Sequence, residues 1–367
     1  MILLLHNRYR HPGGEERAVE DLAWLVREHL DEDVEVLERD SAALSRARAA
    51  AGLLSGGLTP DEVGRAVRRT GARVVHAHNV HPSLGWRALA AAKEAGARVV
   101  LHLHNYRLVC AVGTCFTHGE DCTRCHGRNT LPGVRLNCRG SRVEAVTYGA
   151  ALSLWQPRLA AAVDAFVVPS AFALDRLHEL GAPLDGRARV VPSVQREIAA
   201  RSTADAGRYA LAAGRLTPEK GFADAIAAAR AAGLPLVIAG DGPHRDQLER
   251  LGGDVTFAGH VPPHELARLR AGAAVAVVPS RYQEILPLAA LEAMATGLPV
   301  VAARRGGLAE VVPEEGLYPP GDVPALAERL EALWADAAAG ERARQALAAR
   351  AAPSVIADAL RDIYEPR

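Results

Sequence analysis

Aromatic residues make up only 4% of this 367-residue sequence, and methionine occurs twice. So little aromatic surface, set against abundant alanine, disfavours a β-sandwich core and favours helices packed on a sheet. Charge of one sign is also lacking in excess: Lys+Arg and Asp+Glu each number 43, for a formal net charge of zero. That balance excludes a broad basic face for non-specific nucleic-acid binding, so no nucleic-acid partner is expected; a local patch for phosphates or a membrane surface stays open. Long hydrophobic runs are missing as well. The run Met1–Leu5 is too short for a secretory leader and lacks its leading positive charge. The most apolar long region, Ala145–Val168, is interrupted by Gln156, Pro157, Arg158 and Asp164, so nothing approaches the ~20 residues that span a bilayer. A cytoplasmic protein is predicted. The five cysteines are an odd count, and a disulfide framework is disfavoured in a cytosolic chain of this size.

What is present is a 49% hydrophobic chain, long enough that two domains are the default expectation. Short β-rich runs at 2–5, 34–37, 73–76, 98–103, 165–168 and 189–191 alternate with segments of helical periodicity such as 16–30 and 82–95. This alternation predicts an α/β parallel sheet with helices on both faces. Residues 192–208 lack an apolar period and read as a linker. The alternation restarts with strands at 209–213, 236–239, 255–257, 274–278 and 300–302, and the chain is nearly all helix beyond Asp322. The predicted organisation is a first domain over 1–191, a linker over 192–208, a second domain over 209–351, and a C-terminal helix over 352–367 packing back on the first. Residues 104–140, a Gly-, Cys- and His-containing excursion after a strand end, break the rhythm where open α/β sheets place function.

Three pieces of the second half carry chemistry. In Tyr209-Ala-Leu-Ala-Ala-Gly214-Arg215-Leu-Thr-Pro-Glu-Lys220-Gly221 a strand runs into a tight turn bearing two cations and then a helix start. Such a place suits a diphosphate; taken alone it is equally an ordinary βα turn with solvated Arg and Lys. Gly240-Asp241-Gly242-Pro243 follows another strand and satisfies ordinary turn chemistry. In the segment Val278–Val301, Glu284 ends a loop and Glu292 follows eight positions later within a helix, so the two carboxylates can reach opposite ends of one extended ligand. Carboxylates suit sugar and ribose hydroxyls because they accept paired hydrogen bonds.

The order of these pieces resembles the retaining GT-B glycosyltransferases, the group that contains glycogen synthase and sucrose synthase. Their second domain carries G-R-x4-K-G, G-x-G-P and E-x7-E turns followed by A-x-G-x-P-V-V, all present here in order, with Arg305-Gly306-Gly307 downstream. The first half continues the resemblance in His6–Glu16, similar to the family's glycine-rich loop with Gly13 and Gly14, in the strand end His102-Leu-His104-Asn105, and in His76-Ala-His78. The resemblance implies two Rossmann-like parallel-sheet domains facing across a cleft. It implies a nucleotide-diphosphate sugar donor, a retaining transfer to an unidentified acceptor hydroxyl on a glycan, lipid-linked or natural-product molecule, and a peripheral membrane contact if that acceptor is lipid-linked. It assigns His104, Arg215, Lys220 and Glu284 to catalysis. Donor contacts fall to Gly13, Gly14, Gly214, Gly240, Gly242, Leu286, Leu288 and Glu292, and the acceptor side to His78 and Asn105. No cofactor is required for catalysis. One departure stands inside the E-x7-E motif: Ile285-Leu286-Pro287 replaces the usual glycines, and the proline removes one backbone donor.

The cysteines leave two readings open. Cys122-x-x-Cys125 has the spacing of a zinc knuckle, and the resemblance extends through Asn137-Cys138-Arg139, which makes Cys110 and Cys138 the completing pair of a structural zinc site. The other reading is plain reduced thiols. Against the transferase stand a sugar-nucleotide epimerase of the same fold and a catalytically inactive sugar-nucleotide-binding subunit.

Overall fold

A computed structural model of the protein describes residues 1–10 and 13–365; His11 and Pro12 of the glycine-rich loop and the last two residues of the 352–367 segment lie outside the described residues. The chain divides into two compact units, the first comprising residues 1–194 with the segment from Pro353, the second Gln195–Ala352.

The strands of the first unit are β1 (Ile2–Arg8), β2 (Val34–Asp40), β3 (Val74–Ala77), β4 (Arg98–His102), β5 (Phe116–Thr117), β6 (Glu120–Asp121), β7 (Ala165–Val168) and β8 (Ala188–Val190). Six form one parallel sheet in the order β2-β1-β3-β4-β7-β8; β5 and β6 make a separate antiparallel hairpin inside the 104–140 excursion. Ile2–Asn7 and Val74–Ala77 are buried at every position, which is why Ile2–Leu5 and Val74–Val75 show no polar alternation: a parallel sheet covered on both faces has no solvent side. The C-terminal helix Pro353–Tyr364 belongs to this unit. Its Ile356, Ala357, Leu360 and Ile363 share a core with Ile2, Leu4, Leu25 and Val74, and the Tyr364 hydroxyl lies 2.7 Å from His76 Nδ1.

In the second unit β9 (Tyr209–Ala213), β10 (Leu236–Ala239), β11 (Val255–Gly259), β12 (Ala273–Val278), β13 (Val300–Ala303) and β14 (Leu317–Tyr318) pair in parallel in the order β11-β10-β9-β12-β13-β14. Alternate residues face opposite layers: Leu211 joins the core with Met294 and Leu298, while Ala210 and Ala212 join the one with Phe222 and Ile226. This is the doubly wound order, whose direction reverses between β9 and β12. Residues 195–208 are grouped with this unit: Ala204 is fully buried in its core, and Ser202 Oγ donates to the Gly297 carbonyl at 2.6 Å.

Candidate functional site

Reversal of strand order opens a crevice at the strand C-termini where two neighbouring connections diverge to opposite faces, and open α/β sheets place ligands there. The second unit's E-x7-E loop and its Arg/Lys turn both meet at that position, after β12 and β9. Lys220 Nζ donates to Glu284 Oε1 at 2.8 Å and approaches the Tyr282 hydroxyl at 3.4 Å. Glu284 is 4% exposed and also accepts from Ser280 Oγ. Burial works against the Lys220 ammonium, yet the adjoining Glu284 carboxylate and Tyr282 hold its pKa above the usual lysine range. Burial, with the same carboxylate, pushes Tyr282 up to about 12. Two of the three N–H bonds of an ammonium are thus committed within the protein. Arg215 is exposed, in the turn after β9.

The glycine turns bring backbone together where no side chain fits. Gly240 has φ +144°, and a Cβ there would stand 1.9 Å from the Gly214 carbonyl oxygen; one on Gly242 would stand 2.5 Å from that of Leu216. Gly214, Gly240 and Gly242 therefore lie in one tightly packed pair of turns at the ends of β9 and β10. On the other side, Gln283 Oε1 accepts from Gly306 N–H at 2.7 Å, and the Gly307 N–H donates to the Glu284 carbonyl at 2.7 Å. The Arg305-Gly306-Gly307 turn so braces the loop that carries Glu284. Leu286 and Leu288 are partly buried against the adjacent core. Glu292, on the helix Leu288–Ala295, is held by an ion pair with Arg270.

The first unit reverses strand order between β1 and β3, and its strand ends carry histidines instead of paired charges. The β3–β4 register sets Ala77 beside Leu101. Alternation then puts His76, His78, His102 and His104 on one face. Their rings stack, with His102 and His104 centroids 4.0 Å apart and His78 and His104 5.1 Å apart. His78 Nδ1 lies 2.8 Å from His104 Nε2. Burial drives the His76 and His104 pKa values down to about 3 and those of His78 and His102 well below the usual range. These imidazoles are neutral at physiological pH. Beside them, Asn105 Nδ2 and Arg107 donate to the Tyr9 hydroxyl at 3.2 and 3.0 Å, and Tyr9 donates to Glu15 at 2.7 Å. His78, His104, Asn105, Glu15 and Arg107 line a pocket of about 530 Å³, partly open to solvent, closed on its apolar side by Leu152, Trp155 and Leu159. Tyr9, Glu15, Arg107 and His102 lie within or beside the stretches that carry the resemblance but receive no role from it; the first three come together only through the meeting of the β1 and β4 ends.

Gly13 precedes the helix Gly14–His29, and its N–H donates to Glu16 at 2.7 Å, as does that of Tyr9 at 2.9 Å. Burial opposes ionisation of Glu16, but His6 and these N–H donors lower its pKa to about 2. The helix start thus carries its own carboxylate in this conformation.

Among the described residues, His76, His78 and His102 form the one group of three or more His, Cys or acidic side chains whose ligand atoms lie within 4.8 Å of one another. Their rings are stacked with interplanar angles of 11°, 29° and 25°. A metal must lie in the plane of each imidazole that binds it, and near-parallel stacked rings share no such point, so this arrangement fits no metal. The five cysteines line one small cavity with Gly133 and Leu136. The free Cys115 thiol donates a hydrogen bond to Cys110 Sγ and, with the Gly113 N–H 3.4 Å away, lowers the Cys110 pKa to about 6 against the effect of burial. Cys110, Cys122, Cys125 and Cys138 share this cavity without forming a compact ligand group.

Residues 207–336 match the family model described as Glycosyl transferases group 1. That match lies wholly within the second unit and takes in most of it. Over 225 residues the chain is 34% identical to the glycogen synthase of Mycobacterium tuberculosis, covering 55% of this chain and 54% of that one. The chain spans between 21% and 54% of the length of the first curated relatives it matches. Among solved structures it is similar to sucrose-phosphate synthase from Thermosynechococcus elongatus, with a TM-score of 0.70, 20% identity, and 99% and 98% of the two chains covered. It is also similar to the Anabaena HepE protein in complex with UDP-glucose, with a TM-score of 0.62, 16% identity and 98% of each chain covered. Both units thus have the fold of GT-B glycosyltransferases, two Rossmann-like parallel sheets. No helix among the described residues is long and apolar enough to cross a membrane.

Proposed function

We propose that the protein transfers a glycosyl group, with retention of configuration, from a nucleoside-diphosphate sugar to an acceptor hydroxyl. The observation that carries this reading is the Lys220–Glu284 pair at the strand-order reversal of the unit that matches the glycosyl transferases group 1 model. In the reaction the bond from the anomeric carbon to the diphosphate oxygen breaks, the acceptor oxygen bonds to the same face of that carbon, and the acceptor proton passes to the departing diphosphate. Charge grows on the leaving group, and preorganised cations contribute most where charge develops. Lys220 and Arg215 stabilise that charge, so no cofactor is required. The close-packed turns of Gly214, Gly240 and Gly242 admit the diphosphate to the backbone. Glu284 fixes Lys220 and orients the sugar. Glu292, with Arg270 beside it, grips the ribose hydroxyls, and Leu286 and Leu288 flank the donor. In the first unit Gly13 and Gly14 face the donor diphosphate once Glu16 yields the Gly13 N–H. The neutral imidazole of His104 accepts a hydrogen bond from the sugar, and His78 and Asn105 line the acceptor pocket. The relatives' names support a hexosyl donor, and UDP-glucose is the first to try.

Thermal denaturation with a panel of nucleoside-diphosphate sugars tests donor binding, because a ligand bound only by the native state raises Tm. A rise for one or more donors, weakened in Arg215→Ala, is expected; no rise with any donor at millimolar concentration contradicts the reading.

A further inference from the structure

The helix Arg142–Ala162 has apolar residues all round. Such a helix normally lies inside a protein, yet this one has an outer face in solvent. Val143, Val146, Ala150, Leu154 and Pro157 recur at spacings of three and four, forming one stripe about 20 Å long at 1.5 Å per residue. Val143 is 75% exposed, and Val146 and Leu154 are each 53% exposed. The opposite face is accounted for: Ala145, Gly149, Leu152, Gln156 and Leu159 are buried. Neighbouring elements extend the stripe. Trp155 Nε1 donates to the carbonyl of Leu54, itself 46% exposed, and Thr130 Oγ1 donates to the Gly149 carbonyl next to Leu131, 48% exposed.

The charge around this stripe is one-sided. Residues 122–162 contain six arginines and a single acid, Glu144, in a chain whose total charge is zero. Arg128, Arg135, Arg142 and Arg158 are exposed, whereas Glu144 faces Arg139 at 3.5 Å. Trp86 and Trp155 sit at one flank, with the Arg158 guanidinium about 5 Å from each ring, a pairing of aromatic body and cation suited to a headgroup boundary.

We infer that this face docks on an anionic lipid surface, the apolar stripe entering the acyl boundary and the arginines meeting the headgroups. A second protein surface would need its own acidic rim around an apolar ridge, whereas an anionic bilayer supplies both over any area. The same helix turns Leu152, Trp155 and Leu159 toward the pocket of His78 and His104, so an acceptor carried on a lipid reaches that pocket from the bilayer surface. This consequence, unlike the docking itself, rests on the glycosyl-transfer reading.

The test is co-sedimentation of the full chain with vesicles of phosphatidylcholine alone or mixed with about equal phosphatidylglycerol, with donor turnover measured on the same protein without vesicles. The wild type should bind the anionic vesicles at least about tenfold more than the neutral ones, and this preference should shrink steeply as salt screens the arginines. Val143→Asp/Val146→Asp should reduce binding about tenfold or more, since charge in the acyl boundary is disfavoured. It should leave Tm and donor turnover unchanged. Arg135→Gln/Arg142→Gln should reduce binding and flatten its salt dependence. Absence of anionic-vesicle binding, or undiminished binding by the valine variant, overturns the inference. So does a wild-type dimer in solution that the valine variant dissociates, because the face is then an interface between copies. Vesicle binding without turnover of any donor leaves the docking standing and removes the transfer reading.

Discussion

The two units repeat one architecture, six parallel strands with a reversal of order, but they furnish the reversal in opposite ways. In the second unit it holds a buried ion pair, Lys220 with Glu284, beside glycine turns too tight for a Cβ. In the first it holds four stacked imidazoles that burial keeps neutral, next to a pocket with one apolar wall. A ligand with fixed negative charge suits the former, where full charges are already desolvated and oriented. A hydroxyl-bearing ligand of low charge suits the latter. On the proposed function, one fold serves two binding tasks through the side chains at equivalent strand ends.

The largest effect that would sharpen this contrast is on Lys220. Lys220→Ala should lower turnover by about 10²–10³, the usual cost of removing a charge-stabilising donor. It should also lower Tm, since truncating one partner of a buried pair strands the other at a cost of about 3–5 kcal/mol. Lys220→Ala/Glu284→Gln should recover much of the Tm and none of the turnover. Recovery of both would mean that the pair is structural only.

Glu292 comes next. If it holds the ribose, a 2′- or 3′-deoxyribose donor forfeits a charge-assisted hydrogen bond worth about 1.5–3 kcal/mol, roughly 10–100-fold in kcat/KM. Equal use of both donors removes the assignment.

The difference between units should also appear in pH. His76 and His104 titrate near 3 in the folded chain against 6.5 ordinarily, so between these values the unfolded chain binds more protons. Their contribution to stability is complete above about pH 6.5 and is lost as pH falls toward 3, by up to about 1.4 kcal/mol per pH unit for each histidine. Denaturant titrations over that range should show this acid loss, and replacing His102 by Leu should reduce it. A stability that is flat from pH 7 to 4 would break the account of a neutral stack.

The smallest effect concerns the cysteines. If Cys110, Cys122, Cys125 and Cys138 draw together around zinc, purified protein carries about one metal ion per chain, and chelation loosens residues 105–140 while donor binding persists. Five freely titrating thiols in fully active, metal-free protein would leave them as reduced structural residues.

Much of this was legible in sequence because it is local. The glycine turns at 214, 240 and 242 follow directly on apolar strands; a close approach between adjacent βα turns excludes a side chain at 240 and 242, and a positive φ of +151° favours glycine at 214. Lys220 and Glu284 were legible as motif members. Their direct contact, across 64 positions, follows from the adjacency of β9 and β12, which no local pattern encodes. The same holds for Arg270 on Glu292 and for the Tyr9 hydroxyl joining Glu15, Asn105 and Arg107. Residues 195–208 lack an apolar period because they cross the second unit as irregular chain, anchored by single residues such as Ala204, and aperiodic anchoring resembles a linker when read along the sequence.

The central claim is that the paired charges of the second unit serve departure of a diphosphate. Its most direct test is the release of free nucleoside diphosphate from UDP-glucose and other nucleoside-diphosphate sugars, compared between the wild type and Lys220→Ala/Glu284→Gln, with the anomeric configuration of the product read by NMR. The account predicts release and an α-configured product from an α-linked donor with the wild type, and release reduced by at least about 10² in the double variant. Inverted product, or equal release by the two proteins, would contradict it.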